Sequence, residues 1–324
     1  MLKHRFALTM DIPTPFVQCL PKVESELIGN IIHDGIRAKG TGLMGSIPLT
    51  LRVKRIDDEA PQYGQIFTKR IIPSLYVKNG RVVKDMNSLE LRDSGDPVEL
   101  ATFYCKEGAD ELVFLDVTNT SDGHATMVDI VERISKEVFV PLTVGGGLCS
   151  TSDIVRMLRA GASKVVINSA AVLKPGLIAE SAAQFGKQCI VVAIDAKRVE
   201  TFDGPWWHVH IYGGQRPTGF DAISWAMRAS ALGAGELLVT SVGADGHLTE
   251  YDIELIRAIS ERVRVPVIAD GIAETLADIY RALVAGKADA VMAACDFYCG
   301  TYSINDIKEY LAKQKVPTRI KGGI

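Results

Sequence analysis

The chain lacks what would carry it into a membrane, onto a nucleic acid or through an oxidising compartment. Its longest apolar runs are strand-sized, well short of the roughly 20 residues a membrane-spanning helix needs. Neither charge sign is in useful excess: 36 Lys and Arg stand against 39 Asp and Glu, a formal net charge of −3, which offers nothing to a polyanion. The six cysteines (Cys19, Cys105, Cys149, Cys189, Cys295 and Cys299) contain no CxxC pair and have no histidines at zinc-site spacing, so they read as reduced thiols. The opening stretch MLKHRFALTMDIP has basic residues, but its apolar run is too short for a secretory segment and Asp11 interrupts it early. These absences predict a cytoplasmic protein with no nucleic-acid and no membrane partner. Its 324 residues suffice for one large α/β domain or two smaller ones.

What the chain does have, from about Ile71 onward, is a regular alternation of short Val/Ile/Leu runs with helical patterns. Such runs are strands buried on both faces, as in a parallel sheet covered by helices. Eight are expected: Ile71–Val77, Glu111–Val117, Val140–Val144, Lys164–Ile167, Cys189–Ile194, Glu236–Thr240, Val265–Ile268 and Ala290–Met292.

Three motifs recur at one spacing. Gly108-Ala109-Asp110-Glu111-Leu112 returns as Gly233-Ala234-Gly235-Glu236-Leu237, Val140-Pro141-Leu142-Thr143-Val144 returns as Val265-Pro266-Val267-Ile268-Ala269, and Gly161 returns as Gly286, each 125 residues on. A constant offset divides residues 71–310 into two four-strand halves. Two (βα)4 halves predict a (β/α)8 TIM barrel, with function in the loops after the strand C-termini. A doubly wound open sheet is the rival, and the half-barrel repeat argues against it. Residues 1–66 lie outside the repeat and are expected to be a small α+β extension before the barrel of residues 67–324. Val23, Leu27 and Ile31 mark a helix there, and Leu49, Leu51 and Val53 a strand.

At the strand ends, Gly145-Gly146-Gly147 and Asn168-Ser169 form a candidate phosphate cradle, because glycine lets backbone N–H groups approach an anion and a helix N-terminus adds a favourable dipole. A tight turn also explains three glycines. The equivalents in the second half are Asp270-Gly271-Ile272 and Ala293-Ala294, where a carboxylate repels phosphate and isoleucine obstructs it, so one phosphate site is expected rather than two. Asp195, Asp245 and Asp116 fall at or beyond strand ends, where a carboxylate serves as acid or base or merely orders the loop. Asp195 is the stronger candidate, since it ends five apolar residues and such surroundings raise a carboxyl's pKa. Arg70, Glu111, Lys164 and Glu236 stand at strand starts, as a mixed ring at the other mouth that on geometry alone reads as a stabilising plug. His208 and His210 alternate in Trp206-Trp207-His208-Val209-His210, a hairpin strand after strand five that suits a flap better than a metal pair.

Residues from about 69 to 318 resemble the HisF family, the cyclase subunit of imidazole glycerol phosphate synthase. The resemblance rests on Gly80-Arg81-Val82-Val83-Lys84, Leu91-Arg92-Asp93-Ser94-Gly95-Asp96-Pro97, Asp110-Glu111-Leu112-Val113-Phe114-Leu115-Asp116, Thr143-Val144-Gly145-Gly146-Gly147 and Val191-Val192-Ala193-Ile194-Asp195-Ala196-Lys197-Arg198. It implies that ammonia made by a HisH-like glutaminase partner enters the barrel bottom and attacks a phosphorylated substrate at the top. On this resemblance Arg70, Glu111, Lys164 and Glu236 are the ammonia gate, Asp195 is one catalytic aspartate, and Lys84, Gly146, Gly147, Asn168, Ser169, Asp245 and Gly246 bind substrate or phosphate. No cofactor is implied and no metal.

The second catalytic aspartate of the family is Tyr76 here. A phenol has a reference pKa near ~10 against ~4 for aspartate, so it donates a hydrogen bond but hardly acts as a base at neutral pH. Losing such a group commonly costs on the order of a hundredfold in rate. The family's second phosphate loop is changed at Asp270 and Ile272, its later serine is Cys295, an aspartate is Gly243, and one beside the gate lysine is Ser163. These departures predict a HisF-type synthase subunit that inserts nitrogen into a phosphorylated or nucleotide-sugar-like substrate other than the histidine-pathway one, with Asp195 as acid/base and Tyr76 positioning the substrate. A true cyclase of histidine biosynthesis and a non-catalytic barrel regulating a glutaminase are the alternatives.

Overall fold

The structure, a computed structural model, describes residues 6–11, 39–44, 47–55, 68–84, 92–118, 122–202, 204–243, 248–294 and 302–319, in two compact units, Met1–Ile66 and Phe67–Ile324. The first unit holds an antiparallel sheet of β1 (Phe6–Asp11), β2 (Lys39–Met44) and β3 (Ile47–Arg55) in the order β1-β3-β2. The strand expected at Leu49–Val53 is the middle of β3, where Leu51 pairs with Met10 on one side and Gly40 on the other. The helix expected around Val23 to Ile36 lies outside the described residues.

In the second unit β4 (Arg70–Lys78) runs through Asn79-Gly80 into β5 (Arg81–Lys84), and β6 (Arg92–Gly95) pairs with β5. Both turn residues have positive φ, 50° and 82°, the twist that suits a two-residue hairpin and the reason Asn-Gly stands there. The chain then lays down β7 (Leu112–Asp116), β8 (Leu142–Gly145), β9 (Lys164–Ile167) and β10 (Ile190–Thr201). After the hairpin strands β11 (Gly204–Ile211) and β12 (Arg216–Asp221) come β13 (Glu236–Ser241), β14 (Val267–Asp270) and β15 (Ala290–Ala294). Parallel pairing runs β4-β7-β8-β9-β10-β13-β14-β15 and returns to β4, with Val291 opposite Ile71 at the seam. This is a closed (β/α)8 barrel.

Strand limits depart from expectation for local reasons. β8 and β14 begin two residues late, after Pro141 and Pro266, which have no N–H for the ladder but whose carbonyls accept from Leu112 and Leu237. β10 continues well past Asp195, because its second half leaves the barrel wall and pairs antiparallel with β11. The repeat is also looser in geometry than in sequence. Gly108 and Gly233 both close helices with left-handed φ (94° and 111°), whereas Gly161 does so at 114° and its counterpart Gly286 does not; the left-handed residue there is Lys287.

Apolar side chains pack in two layers. The larger lies between strands and helices, and a small inner cluster of Ile72, Val113, Val166, Val191, Ala193, Leu238, Ile268, Ala290 and Met292 fills the barrel. Since side chains alternate along a strand, residues two away from these share the interior. Arg70, Glu111, Lys164 and Glu236 therefore close one end of it, and Tyr76, Asp195, Thr240 and Asp270 stand at the other. No helix among the described residues is long and apolar enough to cross a membrane.

Candidate functional site

The four charges at the strand starts form a closed ring. Arg70 Nη1 lies 2.8 Å from Glu111 Oε2 and 3.1 Å from Glu236 Oε1, and Lys164 Nζ lies 2.8 Å and 3.0 Å from the same two oxygens. They come from the first, second, fourth and sixth barrel strands, with Glu111 one residue ahead of β7. Glu111 is only 1% exposed and also accepts from Thr143 Oγ1 at 2.5 Å, a partner that sequence reasoning passed over. Burial opposes the charge of Arg70, yet the Glu236 and Glu111 carboxylates hold its pKa above the ordinary guanidinium value. On the same interior face, Ser74 is fully buried and its hydroxyl has no hydrogen-bond partner. Beside the ring, at the starts of β8 and β9, a cavity of about 280 Å³ is lined by Pro141, Ser163 and Phe139, the last 92% exposed. Ser163 uses its hydroxyl to accept from Leu142 N–H at 3.2 Å.

At the other end Asp195 is 7% exposed, and its carboxyl is pushed up to about 6 by burial, against the pull of Asn168's side chain and the Gly214 N–H. Asn168 thus faces Asp195, and its own Oδ1 is left without a partner. Asp270 is 3% exposed and pushed up to about 7, chiefly by burial; Thr240 Oγ1, donating at 2.9 Å, opposes this and the charge of Asp195 adds to it. On sequence alone Asp270 figured only as a group hostile to phosphate. The structure makes it an interior acid like Asp195, and the shared signal was legible: each ends an apolar run, VVAID and VIAD. Tyr76 is half-buried on the same interior face of β4 as Ile72 and Ser74, and pairs in register with Leu115.

The glycine loop differs from expectation. Gly146 and Gly147 have left-handed φ (103° and 66°), and a Cβ on Gly146 would sit 2.2 Å from the Asp116 carbonyl oxygen, so close packing over β7 demands this glycine whatever it binds. The dipole support expected from neighbouring helices is slight. The helix Thr151–Ala160 starts beyond the loop, with Ser150 and Asp153 capping its first turn, and the helix after Asn168 spans only Ser169–Leu173. Ser169 Oγ already accepts from Tyr212 N–H at 2.9 Å. Asp116 takes the loop-ordering role, accepting from Thr118 N–H at 2.8 Å. Lys84 ends β5. Asp245, Gly246 and Cys295 lie outside the described residues.

The hairpin β11–β12 covers Asp195. His210 stands opposite Asp195 in register, is 8% exposed, and places Nδ1 2.8 Å from Gly214 O, in the turn whose N–H reaches Asp195. Trp207 Nε1 fastens the hairpin to Asp252 at 2.6 Å. His208 is engaged by the Gly219 N–H at 2.7 Å. Neither Gly214 nor Thr240 carries a sequence signal of its own; only their positions opposite the acids select them.

Residues 70–303 match the family described as "Histidine biosynthesis protein". The imidazole glycerol phosphate synthase subunit HisF of one strain of Dehalococcoides mccartyi is 55% identical over 256 residues, which is 79% of this chain and 100% of that protein. Its counterpart from a second strain is 54% identical over the same lengths. With the barrel, the ring and these matches together, the chain belongs to the HisF family of histidine biosynthesis proteins, as a divergent member that extends beyond its relatives.

Proposed function

We propose that the barrel is the ammonia-using synthase subunit of a glutaminase–synthase pair. Ammonia passes the Arg70/Glu111/Lys164/Glu236 gate, moves along the interior past Thr143 and Ser74, and reacts at the Asp195 end with a phosphorylated small molecule. The observation that carries this reading is the pairing of a part-buried ion ring at one end of a single interior with a solvent-poor acid at the other. A plug needs no reactive acid above it. Asp195 serves as acid/base, its raised carboxyl being suited to proton transfer near neutrality, and the Tyr76 phenol positions substrate. Lys84, Gly146, Gly147, Asn168, Ser169, Asp245 and Gly246 form the phosphate side.

The partner is a HisH-like glutaminase seated on the ring end. Exposed Phe139 and the adjoining cavity give it an apolar foothold beside Ser163. All four ring contacts are made at hydrogen-bond distance, so transfer requires docking to part at least one of them. Such a protein works in the cytoplasm.

For the substrate, Asp270 and Ile272 favour a molecule with one anionic end rather than two. The second reading, the histidine-pathway cyclase itself, is favoured by identity of 55% along the whole of a named HisF. Turnover of the HisF substrate with ammonium salt separates them: clear activity, abolished by Asp195→Asn, overturns the altered-substrate reading. The gate is tested by adding the glutaminase. Lys164→Ala should change glutamine-dependent turnover several-fold while sparing the ammonium-dependent rate, and equal effects on both would sink it.

A further inference from the structure

Two acids look onto the barrel axis at its reactive end. β10, β13 and β14 are consecutive in the wall, and their register sets Asp195 beside Thr240 and Thr240 beside Asp270. Each lies two residues beyond a member of the inner cluster, respectively Ala193, Leu238 and Ile268, so all three share the interior face. Asp270 Oδ2 accepts from Thr240 Oγ1 at 2.9 Å and the Gly271 N–H also favours the ionised carboxyl, while Oδ1, shut off from solvent, makes no hydrogen bond of good geometry. A structural role explains this poorly. Serine or asparagine would meet Thr240 without burying a carboxyl, and buried polar atoms left unpaired are rare enough to need a reason. An orphaned acceptor on the interior face, at the end of the barrel where Asp195 stands, points to a group that arrives with the substrate.

We propose that Asp270 is the second catalytic acid/base of this barrel, working as a pair with Asp195 in place of the carboxylate that Tyr76 withholds from β4. The proposal rests on the ammonia-dependent reading above. The acid has moved from the first strand to the seventh, and the site keeps two carboxyls around one axis. Other titratable groups on the elements around the pair include His210, in register with Asp195 on β11, Lys197 two residues on along β10, Glu236, held in the ring at the far end of β13, and Tyr251, whose hydroxyl donates to Met292 O at 3.1 Å. Burial raises both carboxyls, Asp195 to about 6 and Asp270 to about 7, and the charge of Asp195 adds to the rise at Asp270, so close to neutral pH Asp270 keeps its proton while Asp195 is ionised.

That state suits nitrogen insertion at a carbonyl carbon. On addition of ammonia the ionised carboxyl takes a proton from nitrogen and the protonated one gives its proton to oxygen. Loss of water repeats the exchange. A carbonyl and ammonia become an imine and water, the C–N bond replaces the C–O bond, and the pair returns to its starting charge.

The test combines infrared carboxyl titration with kinetics on the full-length chain. In wild type one buried carboxyl should stay protonated toward neutral pH, and Asp195→Asn should lower the midpoint of the remaining acid. With ammonium chloride and the HisF substrate as probe, Asp270→Asn should lower kcat at least ~100-fold with KM little changed, and remove one limb of the pH profile. Restoring a carboxylate on the first strand, Tyr76→Asp in the Asp270→Asn background, should recover part of the rate. A kcat within about threefold of wild type in Asp270→Asn, or an Asp270 midpoint indifferent to Asp195→Asn, overturns the proposal. A wild-type barrel inactive on this probe fails the histidine-pathway reading alone; the pair then stands or falls on the titration.

Discussion

Glu111→Gln is the most informative single change to the ring. Its carboxylate is almost wholly buried and meets three donors: Arg70 Nη1 and Lys164 Nζ, each at 2.8 Å, and Thr143 Oγ1 at 2.5 Å. The amide keeps the shape, removes the charge and turns one acceptor into a donor facing cations. Removing one member of a buried ion pair costs about 3–5 kcal/mol, because the partner's charge is left uncompensated. Here Arg70 and Lys164 each retain Glu236, at 3.1 and 3.0 Å, so the lower end applies, about 3 kcal/mol. Against a total stability of roughly 5–15 kcal/mol that is a large loss. With a urea slope of ~3 kcal/mol/M, the unfolding midpoint should fall by about 1 M with the slope unchanged. The exposed pair Arg81–Asp93 is the control, and Asp93→Asn should leave the midpoint where it was. A fall below ~0.3 M for Glu111→Gln would mean that water already screens the ring and that Glu111 contributes no more than an exposed carboxylate.

Asp270 predicts an inverted pH effect on stability. Its carboxyl is raised from 3.8 to about 7 in the folded chain, so the folded state binds the proton more tightly than the unfolded one. The penalty is absent below about pH 4, grows as pH rises to about 7 and is constant above, reaching on the order of 4 kcal/mol. Asp270→Asn should therefore be clearly more stable than wild type at pH 8 and nearly equal at pH 4 by thermal unfolding; equal stability at both would refute the burial assignment. At the glycine loop, Gly147→Ala meets a positive φ of 66° and should cost about 1–2 kcal/mol, whereas Gly146→Ala adds to its φ of 103° a methyl 2.2 Å from Asp116 O and should lower the melting temperature further. Equal melting temperatures for the two variants would show that the loop yields freely.

The barrel was legible because strands buried on both faces write themselves as unbroken apolar runs, and because the 125-residue repeat counts them. The ring was legible for a related reason: Glu111, Lys164 and Glu236 interrupt apolar surroundings at one fixed place in the unit. What escaped depends on direction and depth. VIAD gave Asp270 the same apolar lead-in as Asp195, but that pattern leaves the direction of the carboxyl open, since a strand end allows it to turn inward or outward toward a phosphate. Pro141 and Pro266 shortened strands that hydrophobicity alone would have started earlier. Asp195, placed by pattern at a strand end, stands mid-strand because β10 runs on there, exchanging β9 for β11 on one edge while β13 stays on the other. Thr143 and Thr240 are ordinary threonines until the acids beside them are located.

The ring also bears on how the barrel comes together. Three of its members, Arg70, Glu111 and Lys164, belong to the first four strands, and only Glu236 comes from the second half. A first half folded alone would carry two cations against one carboxylate, and two first halves joined as a dimer would carry four against two. Only the union of unlike halves balances the account at the bottom of the barrel. A barrel made of two identical first halves would not be neutral with this set, so the ring as it stands depends on the two halves being different.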